Sequence, residues 1–563
     1  MLQSRIAQAT RPLDFTPLIH SHNTSIDHTG LAMTGHYLPN LPRLLFLVAW
    51  LFCAHAFVPK PPVASPPSSS SASALLHATT ATSTPASASQ RTIDPAPLPP
   101  PPQTFTSKFL VLFKGGAAGN GDQGTSLACL RIAEFRGLAY REMGDLEAVA
   151  ALRFEDALKT DVSLAGGRKP DEDNEEDEES SRKSSLMYVH GLPEGGGEVL
   201  RRIVDRAVLV HAAYEVWATG SSLCECAAIT KNIMNDDPRM GPLQANTTWA
   251  ANSYVFGTKH GRRKEVDTLP QKLSIFKILL RRLPGAVDLK APAVRFVLLE
   301  DGDAAGGEEL HQVWFTRELA QGSRGLTERL SLRRRPYVTT TSMEPKASLV
   351  MSNVASLQSG DKVLDPMAGG GGLLLAAAQL GAGLTVGVDV NSSIDVSRVE
   401  SNFHELNLAP PADFIFGDVG DPLVQERLYP WGPFDVLVAD PPYGKRERGP
   451  VRAEGAIQEA VYTLYDLAAN NKLLRVEGRL VYFLPMDPCW ASQDVVPLLP
   501  SHPCLTLMDV SRQPLNTRLD RYLITLHKHR AAQEGEEVVM PDAEAGRRPG
   551  EDEGSSSRVW HYN

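Results

Sequence analysis

Cysteine and long apolar runs are both scarce in this 563-residue chain. Its six cysteines include no C-x-x-C pair, and Cys224-Glu225-Cys226 is the nearest approach to the spacing of a zinc or redox site. The apolar run at residues 44–54 has eleven residues, whereas a helix that spans a bilayer needs about twenty. We therefore predict no metal site and no membrane segment in the mature protein, and we expect reduced thiols.

Acidic residues are absent from residues 28–93, a stretch rich in serine, alanine, threonine and proline. The apolar run at 44–54 has the length of a signal h-region, and Ala54-His55-Ala56 after it has the small-x-small pattern of a cleavage site. Together these features resemble the two-part plastid presequence of algae with secondary plastids. An unstructured extension, or a gene start placed too early, explains the same composition.

The net charge of −10 at first argues against a nucleic-acid partner. The acids are concentrated, however, because residues 171–179 hold eight of them and the chain after Arg530 is acid-rich. The rest of the chain is nearly neutral, so local basic clusters can still contact phosphate groups. One such cluster consists of Arg262, Arg263 and Lys264, which we predict to bind RNA. Solvated side chains on the protein surface explain this cluster equally well.

A glycine-rich turn between a strand and a short apolar helix indicates a ligand site in residues 362–381. Glycines have no side chain, so the backbone can approach a ligand closely. The spacing differs from the GxGxxG of phosphate sites, and no phosphate-binding lysine follows it. S-adenosylmethionine, a nucleoside without phosphates, therefore fits better than NAD or ATP. We predict four cofactor-binding residues here: Asp365, Pro366, Gly369 and Gly371.

Two further acids follow the next predicted strands. Asp389 lies at the end of a strand at residues 384–390, 24 residues after Asp365, the offset at which nucleoside-binding folds place an acid for the ribose hydroxyls. Asp418 lies near the end of a strand at residues 413–419, where it either reaches the adenine or stays solvated. We predict both as cofactor-binding residues and leave the role of Asp418 open between these two.

Asp440-Pro441-Pro442-Tyr443 follows an apolar run at residues 434–439. Such a run is typical of a strand buried on both faces of a parallel sheet, and ligands bind at the carboxyl edge of such sheets. The prolines remove backbone donors, so nearby carbonyls remain acceptors, while the tyrosine offers a ring face to a base. We predict that these four residues are catalytic and hold a planar amino group while it is alkylated. A turn with an aspartate cap explains the isolated motif equally well.

Three adjacent arginines precede a hydroxyl-rich loop, just before a predicted helix at residues 346–357. We predict Thr341 and Ser342 as cofactor-binding residues, because hydroxyl groups at an entrance can bind the methionine carboxylate or the adenosine. Alternatively, Ser342 caps the helix. The arginines are predicted to line an entrance for RNA: Arg333, Arg334 and Arg335.

Three segments, in this order and spacing, resemble the tRNA (guanine(10)-N(2))-methyltransferase family. They are RRRPYVTTTSMEPKASLVMSN, KVLDPMAGGGGLLLAAAQLGA and VLVADPPYGKRER, which begin at residues 333, 362 and 436. In the N-terminal half, RAVLVHAAYEVWATGSSL and LPGAVDLKAPAVRFVLLED are similar to the THUMP-containing region of that family. DPPY alone is shared with DNA, RNA and release-factor glutamine methyltransferases, whereas the TTSM loop and the VDLKAP block make the resemblance specific.

The resemblance implies an α/β chain with a Rossmann-like S-adenosylmethionine-dependent methyltransferase domain, preceded by an α+β THUMP-like RNA-binding domain. It implies methylation of the exocyclic N(2) amino group of guanosine at position 10 of tRNA. It also implies a small zinc-binding activator subunit as partner. The chain departs from the family at Met367 and Gly370, where phenylalanine and threonine are usual. Losing the threonine hydroxyl would weaken cofactor binding by roughly 1 kcal/mol.

Two other functions stay open: methylation of an amino group on another nucleic acid or a protein glutamine, and tRNA binding without catalysis. The family indicates a cytoplasmic location, whereas the N-terminal segment indicates a plastid or another organelle. We predict a low-complexity extension at 1–104, a THUMP-like tRNA-binding domain at 105–320 with a disordered acidic insertion at 168–184, a methyltransferase domain at 321–530 and a disordered tail at 531–563.

Overall fold

The computed structural model describes residues 107–114, 123–157, 186–236, 246–256, 277–278, 281, 283–301, 312–323, 325–442, 456–486, 495–516 and 519–541. All of them belong to one compact unit. In this part of the chain no helix is both long enough and apolar enough to cross a membrane. Some predictions fall outside it: the extension at 1–104, the acidic insertion at 168–184, and the roles of Arg262, Arg263, Lys264 and Tyr443.

The described residues before position 322 form an α+β region with one sheet. Its strands are β1 (Lys108–Phe113), β2 (Arg153–Asp156), β3 (Leu186–His190), β4 (Val210–Gly220), β5 (Trp249–Phe256), β6 (Val294–Asp301) and β7 (Val313–Gln321). Their order in the sheet is β2-β3-β1-β4-β7-β6-β5. Neighbours are antiparallel except β5 and β6, which are parallel. Nearly every residue of β4 is buried, so this strand lies at the centre of the region.

The described helices of this region include two with a clear cap at one end. The helices are a 3₁₀-helix (Gln123–Leu130), α1 (Arg131–Met143), α2 (Leu146–Ala150), α3 (Gly196–Arg206) and α4 (Leu223–Asp236). Helix α1 ends because Gly144 adopts the left-handed conformation, with φ 67°, and donates its N–H to Tyr140 O. Helix α2 begins at Asp145, whose carboxylate accepts the N–H of Glu147 and Ala148.

A second sheet follows the short helix α5 (Gly325–Arg329). Its strands are β8 (Lys362–Asp365), β9 (Leu384–Asp389), β10 (Asp413–Phe416), β11 (Phe434–Ala439), β12 (Leu474–Met486), β13 (Leu505–Asn516) and β14 (Leu519–Lys528). The strand order is β10-β9-β8-β11-β12-β14-β13. The first five strands are parallel, and β14 is antiparallel to both of its neighbours.

This order is the Rossmann-like arrangement that the sequence predicted. The strand order reverses between β8 and β11, so the carboxyl edge of these two strands is the ligand position of an open α/β sheet. The apolar runs of β8 and β11 are buried, as expected for central parallel strands. The helices are α6 (Pro345–Val354), α7 (Gly372–Gln379), α8 (Val396–Glu405), α9 (Pro422–Leu428) and α10 (Ala456–Ala469).

Helix α1 of the first region packs directly on α6 of the second. A Cβ on Gly137 would lie 2.5 Å from the backbone of Asn353, so only glycine allows this approach. Ser356 Oγ donates to Gly137 O at 2.7 Å, and Asn353 Nδ2 donates to the buried Glu134 Oε1 at 2.7 Å. The two regions therefore share a polar and tightly packed contact.

The chain continues in contact with the second sheet beyond residue 530. Asn471 Nδ2 donates to Ala532 O at 2.9 Å, and Ala532 N donates to Asn471 Oδ1 at 3.0 Å. Ser501 and Val539 exchange two backbone hydrogen bonds, each 2.9 Å long. The prediction of a disordered tail from residue 531 is therefore wrong for 531–541, and the rest of that tail lies outside the described residues.

Candidate active site

Asp389 anchors the glycine-rich loop between β8 and α7. Its Oδ2 accepts the N–H of Gly369 at 2.7 Å, and its Oδ1 accepts the N–H of Asn391 at 2.8 Å. Each oxygen keeps a further lone pair, and the side chain is half-buried, so the carboxylate can also accept ribose hydroxyls. Gly371 has φ +73°, and a Cβ there would lie 2.8 Å from Val399 Cγ1. The structure thus brings three predicted cofactor-binding residues together.

Asp365 and Pro366 lie beneath this loop rather than on its surface. Asp365 has only 1% of its surface exposed, and its Oδ1 accepts the N–H of Met367 at 3.1 Å. Burial, together with the nearby carboxylates of Asp389 and Asp440, raises the pKa of Asp365 well above its usual value. Asp365 is therefore placed to support the loop from below, and its direct contact with the cofactor stays a prediction.

The hydroxyl-rich loop lies against the glycine-rich loop at Gly370. Ser342 Oγ accepts the N–H of Thr339 at 2.9 Å, and Thr339 Oγ1 lies 3.3 Å from Thr341 Oγ1. A Cβ on Gly370 would lie 3.3 Å from both Ser342 Oγ and Thr339 Oγ1. The alternative role of Ser342 as a helix cap is wrong, because α6 has Glu344 at its N-cap. The sequence-based prediction did not include Thr339, although Thr339 belongs to the same run of adjacent hydroxyl residues.

The three adjacent arginines have different surroundings. Arg333 and Arg334 are exposed, whereas Arg335 is half-buried and directed inward. The Nε of Arg335 donates to Leu330 O at 3.0 Å, and its Nη1 lies 3.6 Å from the position of a Cβ on Gly372. Burial lowers the pKa of Arg335 to about 10, so its guanidinium remains charged at neutral pH. RNA binding stays a prediction for Arg333 and Arg334. The half-buried position of Arg335 is less suited to contact with RNA.

Asp440 lies at the same sheet edge as the glycine-rich loop. Strand β11 pairs in parallel with β8, with Val436 opposite Val363, so the two strands end side by side. Asp440 and Pro442 are half-buried, and Pro441 is buried. Asp440 is therefore partly exposed at this edge, while Pro441 next to it is packed. Its catalytic role stays a prediction, as does that of the tyrosine that follows.

Asp418 and Val390 border the other side of the edge. Asp418 is exposed, and its Oδ1 accepts the N–H of Gly420 at 2.9 Å. Val390 has 71% of its surface exposed directly after Asp389. An exposed apolar side chain beside the expected ribose acid offers an apolar contact to a base. Val390 was missed from the sequence, although an apolar residue directly after the acid at a strand end was available as a signal.

These groups fit S-adenosylmethionine. A loop without side chains allows close approach of the ligand, Asp389 offers acceptors for hydroxyl groups, and Val390 offers an apolar surface for adenine. The hydroxyls around Gly370 add polar groups next to the loop. Asp440 lies where β11 ends beside β8, so an amino group held by Asp440 would lie next to a ligand of the loop.

Comparisons with known proteins support the methyltransferase domain. Residues 333–492 match the family model described as UPF0020, an RMKL-like methyltransferase domain. The tRNA (guanine(10)-N(2))-methyltransferase TRMT11 of Gallus gallus is 29% identical over 389 residues, which cover 61% of this chain and 80% of that protein. The human TRMT11 is 28% identical over 378 residues, or 59% of this chain and 77% of that protein.

Among solved structures, TrmN from Thermus thermophilus aligns with 75% of this chain and 99% of its own, at 17% sequence identity and a TM-score of 0.32. The matched domain begins at the arginines before the hydroxyl-rich loop and includes both the glycine-rich loop and Asp440. The resemblance stated from the motifs is confirmed: the chain contains a Rossmann-like methyltransferase domain and is similar over more than half its length to the tRNA (guanine(10)-N(2))-methyltransferases.

Proposed function

We propose that this protein methylates the N(2) amino group of guanosine at position 10 of tRNA, with S-adenosylmethionine as methyl donor. The observation that carries the proposal is the shared edge of β8 and β11. There the glycine-rich loop held by Asp389 lies next to Asp440 and its two prolines. In this proposal, a nucleoside site and an acceptor for a planar amino group meet at the ligand position of the fold.

Asp440 and the carbonyl of Pro441 act as hydrogen-bond acceptors for the amino group. The lone pair of a guanine amino group is delocalised into the ring, so it attacks only when both N–H bonds are held in a geometry closer to tetrahedral. The bound cofactor supplies an electrophilic methyl group on a sulfonium. Since the chain only positions and polarises the amino group, most of its contribution is orientation and electrostatics, with no covalent enzyme intermediate.

The target base must leave the tRNA stem to reach this edge. We assign the stacking surface for the extruded base to Tyr443, which directly follows the two prolines. Arg333 and Arg334 are exposed at the start of the same domain and can contact the phosphate backbone without reading its sequence. The α+β region before residue 322 serves as the THUMP-like tRNA-binding domain in this proposal.

Two further parts of the proposal rest on the family resemblance and, for the second, on the N-terminal composition. The first is a small zinc-binding activator subunit as partner, implied by the eukaryotic relatives. The second is the location, for which the family favours the cytoplasm and the N-terminal composition favours a plastid or another organelle. Imaging of the full chain with a C-terminal fluorescent tag distinguishes the two locations.

The test of the activity uses the full chain, with and without the activator subunit, and labelled S-adenosylmethionine. Two tRNA transcripts serve as substrates, one with guanosine and one with adenosine at position 10. We expect label only in the guanosine transcript. Equal label in both transcripts would point to another amino substrate, and tRNA binding without any transfer would point to a non-catalytic protein.

A further inference from the structure

An open cleft lies between α1 and α3, and arginines from both helices line it. Its volume is about 350 Å³. Arg141 near the end of α1 provides one guanidinium, and Arg202 and Arg206 on α3 provide two more. The side chains of Arg141 and Arg202 are 23% and 42% exposed, so a ligand in solution can reach them. The other lining residues are Glu142 and Asp205.

The three guanidinium groups have donors that the protein does not use. Arg206 donates its Nε to Asn353 Oδ1 at 2.9 Å and forms no ion pair in the described part of the chain. Arg141 pairs with Glu142 through Nη1, and its Nε is without a partner there. Arg202 uses its Nε and Nη1, and the Nε donates to Glu142 Oε2 at 2.8 Å. Each arginine thus keeps at least one terminal nitrogen without a partner among the described residues.

Two of these positive charges also repel each other. Burial, followed by the charge of Arg141, lowers the pKa of Arg206 to about 10, so both groups remain charged at neutral pH. Glu142 offsets this repulsion only in part, because Arg141 and Arg202 share its carboxylate. An anion in the cleft would reduce the repulsion and accept the unused donors.

The cleft lies away from the candidate active site. Gln358 Nε2 donates to Arg141 O at 2.9 Å, and Gln358 N donates to Asp361 Oδ2 at 2.7 Å. Asp361 directly precedes β8 at its amino end, whereas the glycine-rich loop follows β8 at its carboxyl end. A ligand of this cleft is therefore neither the cofactor nor the guanosine that is methylated at the other edge of the sheet.

Phosphate is the anion that this cleft suits best. A guanidinium pairs with two phosphate oxygens at once, which favours arginine over lysine at such sites. Small molecules are usually bound in pockets that enclose most of their surface, whereas an open cleft suits a group carried by a large molecule. A tRNA extends far beyond the nucleotide that is methylated, so its backbone can contact two distant places on the protein.

We propose that Arg141, Arg202 and Arg206 bind a phosphate group of the tRNA backbone, remote from the target guanosine. This inference rests on the proposed function, which supplies tRNA as the ligand. Such a contact fixes the position of the tRNA on the protein without reading its sequence.

The test measures the affinity of the full chain for tRNA by fluorescence anisotropy at several salt concentrations. We expect Arg202→Gln to raise the dissociation constant roughly 3- to 10-fold. The slope of log affinity against log salt should become shallower by about 0.9, the value for one lost phosphate contact. The matched control is Arg136→Gln, because Arg136 is an exposed arginine of α1 that does not line the cleft. It should leave the affinity within about twofold and the slope unchanged.

Glu142→Gln is the second variant, and the proposal predicts an effect of opposite sign. Removing the carboxylate frees the charges of Arg141 and Arg202 for a phosphate, so we expect tRNA to bind about twofold or more tightly. An arginine cluster with only a structural role would not bind tRNA more tightly in this variant. Unchanged affinity in both Arg202→Gln and Glu142→Gln, or equal losses in Arg202→Gln and Arg136→Gln, would overturn the proposal.

A further measurement distinguishes the source of the phosphate. Inorganic phosphate is added to the ligand-free protein, and the melting temperature is followed. If Arg202→Gln abolishes stabilisation by inorganic phosphate but binds tRNA like the wild type, the ligand is a free phosphorylated molecule and the inference is wrong.

Failure of the proposed function has a different result. Wild-type protein that binds tRNA through Arg202 but transfers no methyl group would remove the function and leave this contact standing. Methyl transfer to tRNA with binding that is independent of Arg202 would remove this inference alone.

Discussion

Three carboxyl groups near one sheet edge have different tasks because their surroundings differ. Asp389 is half-buried and holds the loop through two backbone N–H groups. Asp440 is half-buried and faces the edge, whereas Asp365 is buried below both. The positions of Asp389 and Asp440 could be predicted because parallel strands end at one edge. The burial of Asp365 could not, since it depends on how the loop folds back over the strand.

The raised pKa of Asp365 has a consequence for stability. A carboxyl whose pKa is higher in the folded than in the unfolded state stabilises the fold at low pH. That stability is lost as the pH rises from about 4 through the folded value. Asp365→Asn keeps an oxygen that can accept the N–H of Met367, but it has no titrating carboxyl group. The variant should therefore not lose this part of its stability as the pH rises. We expect the free energy of unfolding, measured with urea between pH 5 and 8, to fall less with pH in the variant. Parallel curves for the two proteins would contradict this.

Asp440 and Asp389 should affect different steps. Asp440→Asn should lower single-turnover methyl transfer roughly 100- to 1000-fold, because the negative charge and one of the two acceptor oxygens are lost, while S-adenosylhomocysteine affinity stays within a few fold. Asp389→Ala removes the carboxylate that accepts two backbone N–H groups and is predicted to bind the ribose, so the dissociation constant for S-adenosylhomocysteine should rise about tenfold or more. The control is Asp466→Asn, because Asp466 is an exposed residue of α10 for which no ligand contact is predicted. Full transfer by Asp440→Asn would remove it from catalysis.

The arginines show what a sequence cannot distinguish at this scale. Arg333, Arg334 and Arg335 are adjacent and chemically identical, so the same role was predicted for all three. Only the structure shows that Arg335 is anchored by Leu330 O and directed toward α7. Which arginine is buried depends on the path of the chain between α5 and α6, and no local pattern encodes that path.

Among the structural elements, the glycine-rich loop has the strictest backbone requirements. Gly371 and Gly369 both have positive φ, +73° and +50°, but only at Gly371 would a Cβ collide with a neighbour, Val399. We expect Gly371→Ala to lower the free energy of unfolding by about 2 kcal/mol or more, from left-handed strain plus the clash. Gly369→Ala should cost about 1 kcal/mol, from the backbone term alone. Equal losses in thermal or urea unfolding would contradict the geometry.

The structure of the glycine-rich loop could be predicted only in part. Its order of strand, glycine turn and helix was evident from the sequence because apolar runs and glycines alternate at fixed places. The residues that lie against Gly370 could not be predicted, because they belong to the hydroxyl-rich loop, which is distant along the chain. Gly370 meets Thr339 and Ser342. Gly370 lacks the threonine hydroxyl that is usual in the family, and hydroxyl groups from another segment, the hydroxyl-rich loop, lie next to it.

At the scale of the whole molecule, Glu134 links the two regions. Its carboxylate is buried and accepts the N–H groups of Val208 and Leu209 and the Nδ2 of Asn353, at 2.7 to 2.8 Å. Arg206 Nε in turn donates to Asn353 Oδ1 at 2.9 Å. Removing the α+β region would therefore leave α6 with an exposed packing face. Point substitutions rather than deletions are the appropriate test of tRNA binding.

Asn353→Ala should destabilise the molecule as a unit. It removes one donor to the buried Glu134 and the acceptor of Arg206, so we expect a loss of about 1–3 kcal/mol in a single urea transition. Gln358→Ala is the control, because Gln358 Nε2 donates to Arg141 O in an exposed contact and its loss should cost under about 1 kcal/mol. Two separate transitions in the wild-type protein would show that the regions unfold independently.

The contact between the two regions was not evident from the sequence. The division at residue 320 stays a prediction, and β7 ends close to it, at Gln321. The contact across that division depends on Gly137, an unremarkable glycine inside α1 whose missing side chain admits α6. A single sequence does not show why a glycine occurs in a helix. The structure shows it here, because the backbone of α6 lies against Gly137.

The central claim is that Asp440 directs methylation to one amino group of one guanosine. The most direct measurement is mass spectrometry of nucleosides and fragments from tRNA treated with the full chain, its activator subunit and S-adenosylmethionine. We predict N(2)-methylguanosine at position 10 with the wild-type protein, and at most trace product with Asp440→Asn. A methyl group on another atom or position, or equal product from Asp440→Asn, would contradict the account.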